Sequence, residues 1–236
     1  MLDEHPRVVL LGLGGLGCPA ALALCEAAAA QDLPLTLELV DDDVVDRGNL
    51  SRQILYREAD LGAAKVEAAA ARLRALVPSA KVALLPLRRR FDEQSCAGLL
   101  AGAGLLLDGT DSFATRFLAN DAALAARVPL IHGAALQWTG QLLTVPPGGP
   151  CLRCLFEGPP PLGPKGAVPA CAEAGVLSPL CGLVGVEMAA EAMRLLTGVP
   201  ARQAARLRRW ESLQGRVREV VIPRDPACPA CGPGPR

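Results

Sequence analysis

A glycine-rich turn, acids and cations at strand ends, and two Cys-x-x-Cys pairs are the residues of this sequence whose types and spacing suit chemistry. Gly12-Leu13-Gly14-Gly15-Leu16-Gly17 follows the apolar run 7–11 and opens an alanine-rich segment. In a strand–turn–helix context, closely spaced glycines let backbone N–H groups and a helix N-terminus approach a phosphate. Gly12, Gly14, Gly15 and Gly17 are therefore candidates for nucleotide binding. The turn alone does not choose between NAD and ATP. Asp41, at the end of the next apolar run, is placed to hydrogen-bond a ribose hydroxyl of either. Asp43 joins this nucleotide set, with a solvated strand end as the other reading of Asp42 and Asp43.

The segment Asn49-Leu50-Ser51-Arg52-Gln53, followed by Lys65, adds polar side chains and two cations beyond the second strand. A triphosphate needs such partners, whereas an isolated surface lysine or arginine needs none. Asp108-Gly109-Thr110-Asp111-Ser112 ends a fourth apolar run, so a carboxylate there points into the same crevice. Asp111 is the better candidate, and its alternative role is the N-cap of the following helix. Arg88-Arg89-Arg90 reads as a solvated face, and His132 as a strand end satisfied by backbone.

Cys151-Leu152-Arg153-Cys154 and Cys228-Pro229-Ala230-Cys231 supply four thiols, enough for a closed tetrahedral zinc site with no water position. Either pair alone could be a redox motif. Two pairs beside Pro/Gly-rich turns, in a chain expected in the reducing cytoplasm, favour structural zinc. Cys171 follows the Pro/Gly-rich stretch 158–169 and precedes an expected helix N-terminus, where a thiolate is favoured. It is either reactive or a plain buried cysteine. Cys18, Cys25, Cys96 and Cys181 read as packing residues.

These residues need a scaffold, and the pattern supplies one. Apolar runs at 7–11, 34–40, 81–87, 105–107 and 129–132 alternate with helical stretches at 20–30, 63–76 and 117–126. Such alternation predicts an α/β, Rossmann-like fold: a mostly parallel sheet with helices on both faces and ligands at the C-terminal strand ends. A strand at 141–145, a helix at 183–197 and one or two strands within 208–222 follow, before the cysteine-bearing tail. The whole of 1–236 reads as a single domain, with a nucleotide half over about 1–135 and a crossover-loop, zinc and partner half over about 136–236. Lys plus Arg equals Asp plus Glu at 24 each, which removes the broad positive field of a nucleic-acid binder. No apolar run approaches the span of a bilayer, and the N-terminus lacks the cationic flank of a signal peptide, so no membrane partner and a cytoplasmic location are expected.

Taken in order, GLGGLG, DDD, NLSRQ and GAAKVEAA resemble the MoeB/ThiF/HesA branch of the ubiquitin-activating-enzyme superfamily, over nearly the whole chain. The resemblance implies an ATP-dependent adenylyltransferase that activates the C-terminal glycine carboxylate of a ubiquitin-like sulfur-carrier protein ending in Gly-Gly, for thiamin or molybdopterin synthesis. By the same resemblance Asn49, Arg52 and Gln53 contact the phosphates, Lys65 neutralises their charge, and Asp111 holds Mg²⁺. Ser112 stands where the family usually has Asn and is counted with the nucleotide-binding residues. Zinc-bearing members share the four-cysteine arrangement, and in some members the cysteine matching Cys171 forms a covalent link to the carrier. A homodimer is implied. Only six residues precede Arg7, so the family's cross-subunit arginine is expected to be absent. The alternatives are a catalytically silent, zinc-stapled adaptor for a ubiquitin-like protein, an NAD-dependent oxidoreductase, and an adenylyltransferase with a peptide or tRNA base as acceptor.

Overall fold

The computed structural model describes residues 5–156, 158, 175–201 and 205–232. Cys171 and nearly all of the stretch 158–169 lie outside the described residues.

Eight strands form one sheet in the order β3-β2-β1-β4-β5-β6-β7-β8. The strands β1 (Arg7–Leu11), β2 (Leu35–Val40), β3 (Val82–Leu87), β4 (Leu105–Asp108) and β5 (Leu130–Leu136) are parallel. The strands β6 (Thr139–Val145), β7 (Arg206–Glu211) and β8 (Arg216–Val221) continue the sheet antiparallel. The chain order reverses at β1, with β2 on one side and β4 on the other, so the crevice for a ligand opens at the ends of β1 and β4.

β1 shows why the sheet is covered on both faces. Val8 and Leu10 enter one apolar cluster, while Val9 and Leu11 enter the other, as the two-residue period of a strand requires. On the first face pack α1 (Gly17–Ala30), α2 (Lys65–Leu76) and α6 (Ser178–Leu196), through Leu24, Leu73, Val184 and Met188. On the second lie α3 (Cys96–Leu100) and α4 (Phe113–Ala126), joined by Leu207 and three of the four paired cysteines. A single turn, α5 (Leu152–Leu155), carries the first cysteine pair beneath the antiparallel half.

The structure refines several boundaries. α4 begins at Phe113, four residues before the apolar pattern suggests, because the Ser112 hydroxyl accepts from the Thr115 N–H and caps it. β5 runs on to Leu136 since it pairs antiparallel with β6 across the turn at Gln137, where φ is 50°. α6 starts at Ser178, with Pro179 in its first turn. Among the described residues, no helix is long and apolar enough to cross a membrane.

Candidate functional site

The glycine turn is built by backbone geometry. Gly12 adopts φ +81°, and its N–H donates to the carbonyl of Val40, tying β1 to the end of β2. A Cβ on Gly17 would lie 1.8 Å from the carbonyl oxygen of Gly12. Gly17 thus sits under the turn and lets α1 start there. Unlike Gly12, Gly14 and Gly15, it does not line the crevice. Leu13 is pinned from both sides: its N–H donates to Asp41 Oδ2 at 2.6 Å, and its carbonyl accepts from the Tyr56 hydroxyl at 2.9 Å and from the Cys18 thiol at 3.2 Å. Burial pushes the Cys18 thiol up to about 12, consistent with a packing role.

At the C-terminal strand ends lies a cleft of about 450 Å³. It brings together Gly12, Gly14, Gly15, Asp41, Asp43, Asn49, Arg52, Gln53, Lys65, Asp111 and Ser112, which are far apart in sequence. Lys65 opens α2; it is 5% exposed, and its Nζ lies 2.7 Å from Asp43 Oδ2. Arg52 is held by Asn49 Oδ1 at 2.5 Å and by the Gly48 carbonyl at 3.3 Å. A Cβ on Gly15 would come within 3.3 Å of Arg52 Cδ and Cys181 Sγ, so glycine here lets both side chains lie close against the floor. Gln53 is 3% exposed, and its Oε1 has no hydrogen-bond partner, a buried polar atom that a ligand or water would satisfy. Burial raises the Asp41 carboxyl above the usual carboxylate range, and the Lys65 charge and the N–H groups of Leu13 and Asp43 offset part of that rise.

Asp111 lies at the exposed rim beyond β4, and Ser112 rather than Asp111 caps α4. Two expectations are corrected here. Arg89 and Arg90 line the cleft beside the buried Phe91, so this segment is not merely a solvated face. Their position directly after β3, at the ligand end of the sheet, was the signal available. His132 pairs with a side chain, not with backbone: its Nδ1 lies 2.8 Å from Oδ2 of the fully buried Asp108. Burial opposes the Asp108 charge, but the His132 hydrogen bond and the charges of His132 and Arg116 outweigh it and hold the carboxyl below its usual range. Arg116, unmarked in the sequence, also lines the cleft.

A second constellation lies on the opposite face of the sheet from α1. The Sγ atoms of Cys151, Cys154, Cys228 and Cys231 all fall within 4.8 Å of one another. Cys151 and Cys228 are 3.7 Å apart, and Cys154 and Cys231 are 3.3 Å apart. Four thiolates bonded at about 2.3 Å to one tetrahedral zinc stand about 3.8 Å apart, so the set fits that ion. Burial works against a thiolate at Cys228, yet the N–H groups of Cys231 and Ala230 bring its thiol down to about 7. The knuckle is fastened to α4: the Leu152 N–H donates to Asn120 Oδ1 at 2.9 Å, and Arg153 Nη2 meets Asp121 Oδ2 at 2.7 Å.

A glycine cradle at the reversal point of a parallel sheet, ringed by cations and carboxylates, defines a nucleotide-binding α/β protein. Residues 3–230 match the ThiF family, and the chain belongs to it. It is 41% identical over 229 residues to the SAMP-activating enzyme E1 of Haloferax volcanii, covering 97% of this chain and 81% of that protein. It is 39% identical to the sulfur carrier protein adenylyltransferase of Thermus thermophilus, covering 98% of this chain and 84% of that one. The molybdopterin-synthase adenylyltransferase of Escherichia coli is 37% identical over 97% of this chain and 88% of its own. Among solved structures, E. coli MccB with AMPCPP and MccA superposes with a TM-score of 0.80 at 18% identity, over 98% of this chain and 67% of that one, which is a likeness of fold.

Proposed function

We propose that this adenylyltransferase activates the C-terminal glycine carboxylate of a ubiquitin-like sulfur-carrier protein. The observation that carries the reading is the cleft, in which Arg52, Lys65 and Asp111 surround the open floor made by Gly14 and Gly15. The names of the relatives supply the substrate class. A carboxylate oxygen of the carrier bonds to the α-phosphorus of ATP, the bond from that phosphorus to the β-phosphate bridging oxygen breaks, and pyrophosphate leaves. A carboxylate is already ionised near neutral pH, so no general base is needed. The protein positions the two anions and offsets the charge gathering on the phosphates.

Backbone N–H groups of the glycine turn, with Asn49, Arg52 and Gln53, receive the phosphates, and Asp41 receives the ribose. Lys65, facing Asp43, is a buried cation whose place in the cleft suits the transferred phosphate. Asp111 would hold Mg²⁺, a hard cation suited to carboxylate oxygen that would supply further charge neutralisation when bound. Cys151, Cys154, Cys228 and Cys231 would hold zinc, which would staple the tail to α5 and α4 and take no part in the chemistry. Cys171 is, by the family resemblance, a candidate for a later covalent step with the carrier. The chain acts in the cytoplasm as one adenylation domain, as a homodimer, and passes its product to sulfur transfer for thiamin or molybdopterin.

The test is exchange of labelled pyrophosphate into ATP, driven by purified carriers ending in Gly-Gly. Exchange with one carrier and not others names the pathway. A protein that binds carrier but exchanges with none would be the silent adaptor instead.

A further inference from the structure

Below the rim of the cleft, β4 and β5 hold a buried polar pair that the proposed chemistry does not use. The strand register sets Asp108 opposite His132. Asp108 is wholly buried and His132 is 5% exposed. The Asp108 carboxylate can only accept, so the Nδ1 of His132 facing Oδ2 at 2.8 Å carries the proton. The other oxygen, Oδ1, accepts from the N–H of Thr110 at 3.0 Å and from its hydroxyl at 2.7 Å. The carbonyl of Thr110 accepts in turn from Arg116 Nε at 3.0 Å and Nη2 at 2.9 Å, and the N–H of Gly109 donates to the Leu11 carbonyl at 3.0 Å.

Apart from the His132–Asp108 bond itself, these bonds all end on Gly109 or Thr110, the two residues that immediately precede Asp111. A sheet interior gains little from an imidazole and a carboxylate, since apolar side chains of similar volume commonly fill such a place at no loss of stability. What the pair does supply is a fixed path for the backbone that leaves β4 and delivers Asp111 to the rim.

We infer that His132 and Asp108 are positioning residues, acting through Thr110 to fix the Asp111 carboxylate and so to set the magnesium affinity of the nucleotide site. This rests on the assignment of Asp111 to the metal. Hydrogen-bonded groups behind a metal ligand commonly govern metal affinity by about 10-fold or more when removed.

The experiment is calorimetric titration of ATP into the protein across a magnesium series and in EDTA, which needs no carrier and no turnover. His132→Leu removes the donor; it should raise the Mg²⁺ concentration that half-enhances ATP binding by on the order of 10-fold, with ATP affinity in EDTA unchanged. His132→Asn places an amide nitrogen near the position of Nδ1 and should recover most of that loss, which a general loosening of the fold would not. Thr110→Val removes only the hydroxyl contact to Asp108 and should shift the magnesium dependence in the same direction by less, and it carries the test if His132→Leu does not fold. Folded variants with the magnesium dependence of the wild type would overturn the inference alone. Wild-type protein whose ATP affinity is indifferent to magnesium would overturn the reading of Asp111, and the inference with it.

Discussion

Lys65 Nζ lies 2.7 Å from Asp43 Oδ2, and the Lys65 N–H donates to the Asp43 carbonyl at 3.0 Å, so the first residue of α2 is tied twice to the loop after β2. The lysine is buried while the aspartate is largely exposed. The cation is thus already desolvated and aimed before any phosphate arrives, the condition under which a charge stabilises a transition state without reorganisation. Lys65→Ala should lower pyrophosphate exchange by about 10²-fold or more. Asp43→Ala should lower stability by about 1–3 kcal/mol, because it leaves a buried donor without its partner. Exchange kinetics and urea unfolding check the two halves; a Lys65→Ala variant with wild-type exchange would remove the lysine from the chemistry.

The four clustered thiols predict one zinc per chain. Structural zinc contributes folding free energy directly, so Cys228→Ser should lower Tm by on the order of 10 °C, as should a strong chelator. Elemental analysis with a thermal scan checks both. Since Leu152 and Arg153 fasten the knuckle to α4 through Asn120 and Asp121, the loss should reach the α4 core and not be confined to the tail. Metal-free protein with an unchanged Tm would show that the cysteines do not need the ion.

Asp41 and Asp108 should respond to pH in opposite senses. Asp41 is held above the ordinary carboxylate range, chiefly by burial. A carboxyl raised in the folded state contributes most below its unfolded pKa, and that contribution is lost as pH rises through the folded value. Asp41 is therefore a net cost at pH 7, and Asp41→Asn should be at least as stable as wild type there while binding nucleotide less well. Asp108 is held below its range, despite its burial, by His132, Arg116 and Thr110. Its contribution is present above the unfolded value near about 4 and lost as pH falls through the folded one. Asp108→Asn should therefore destabilise at pH 7, with a deficit that shrinks on acidification. Urea unfolding at the two pH extremes decides, and a clear stability loss in Asp41→Asn at pH 7 would mean that its bonds to Leu13 and Asp43 outweigh burial.

Most of the parallel half of the fold was legible because its inner strands are buried on both faces and end in polar residues, as Leu105 to Leu107 end at Asp108. The glycine turn and the cysteine pairs were legible because each depends on spacing within short segments, whereas Lys65 was singled out only through the family resemblance. α3 was not legible, since five residues carry too little periodicity to register. Nor was the His132–Asp108 pair, which is made by strand register across 24 residues. Arg116 was hidden for a similar reason: its role depends on a side chain reaching back past the start of α4 to the Thr110 carbonyl six residues earlier, which no local pattern announces.

Arg89 and Arg90 provide the last prediction. They follow β3, are exposed, and line the cleft on the side of Asp41 to Asp43. Arg88 fastens their segment there, its Nε donating to the Asp42 carbonyl at 3.4 Å. In a sheet of this order the end of β2 receives the ribose, so cations beyond β3 meet the outer part of the nucleotide, away from the α-phosphate where bonds change. Contacts of that kind are made equally in the ground state and the transition state, and their loss raises KM while leaving kcat in place. Because exposed charges contribute only about 0.2–1 kcal/mol each, the double variant Arg89→Ala, Arg90→Ala should raise the KM for ATP by roughly 2–30-fold, with a smaller effect at high salt. Steady-state pyrophosphate exchange against ATP concentration, at low and high ionic strength, measures it. A fall in kcat at unchanged KM would instead place these arginines beside the reacting phosphate, and their position beyond β3 would then need a loop movement to explain it.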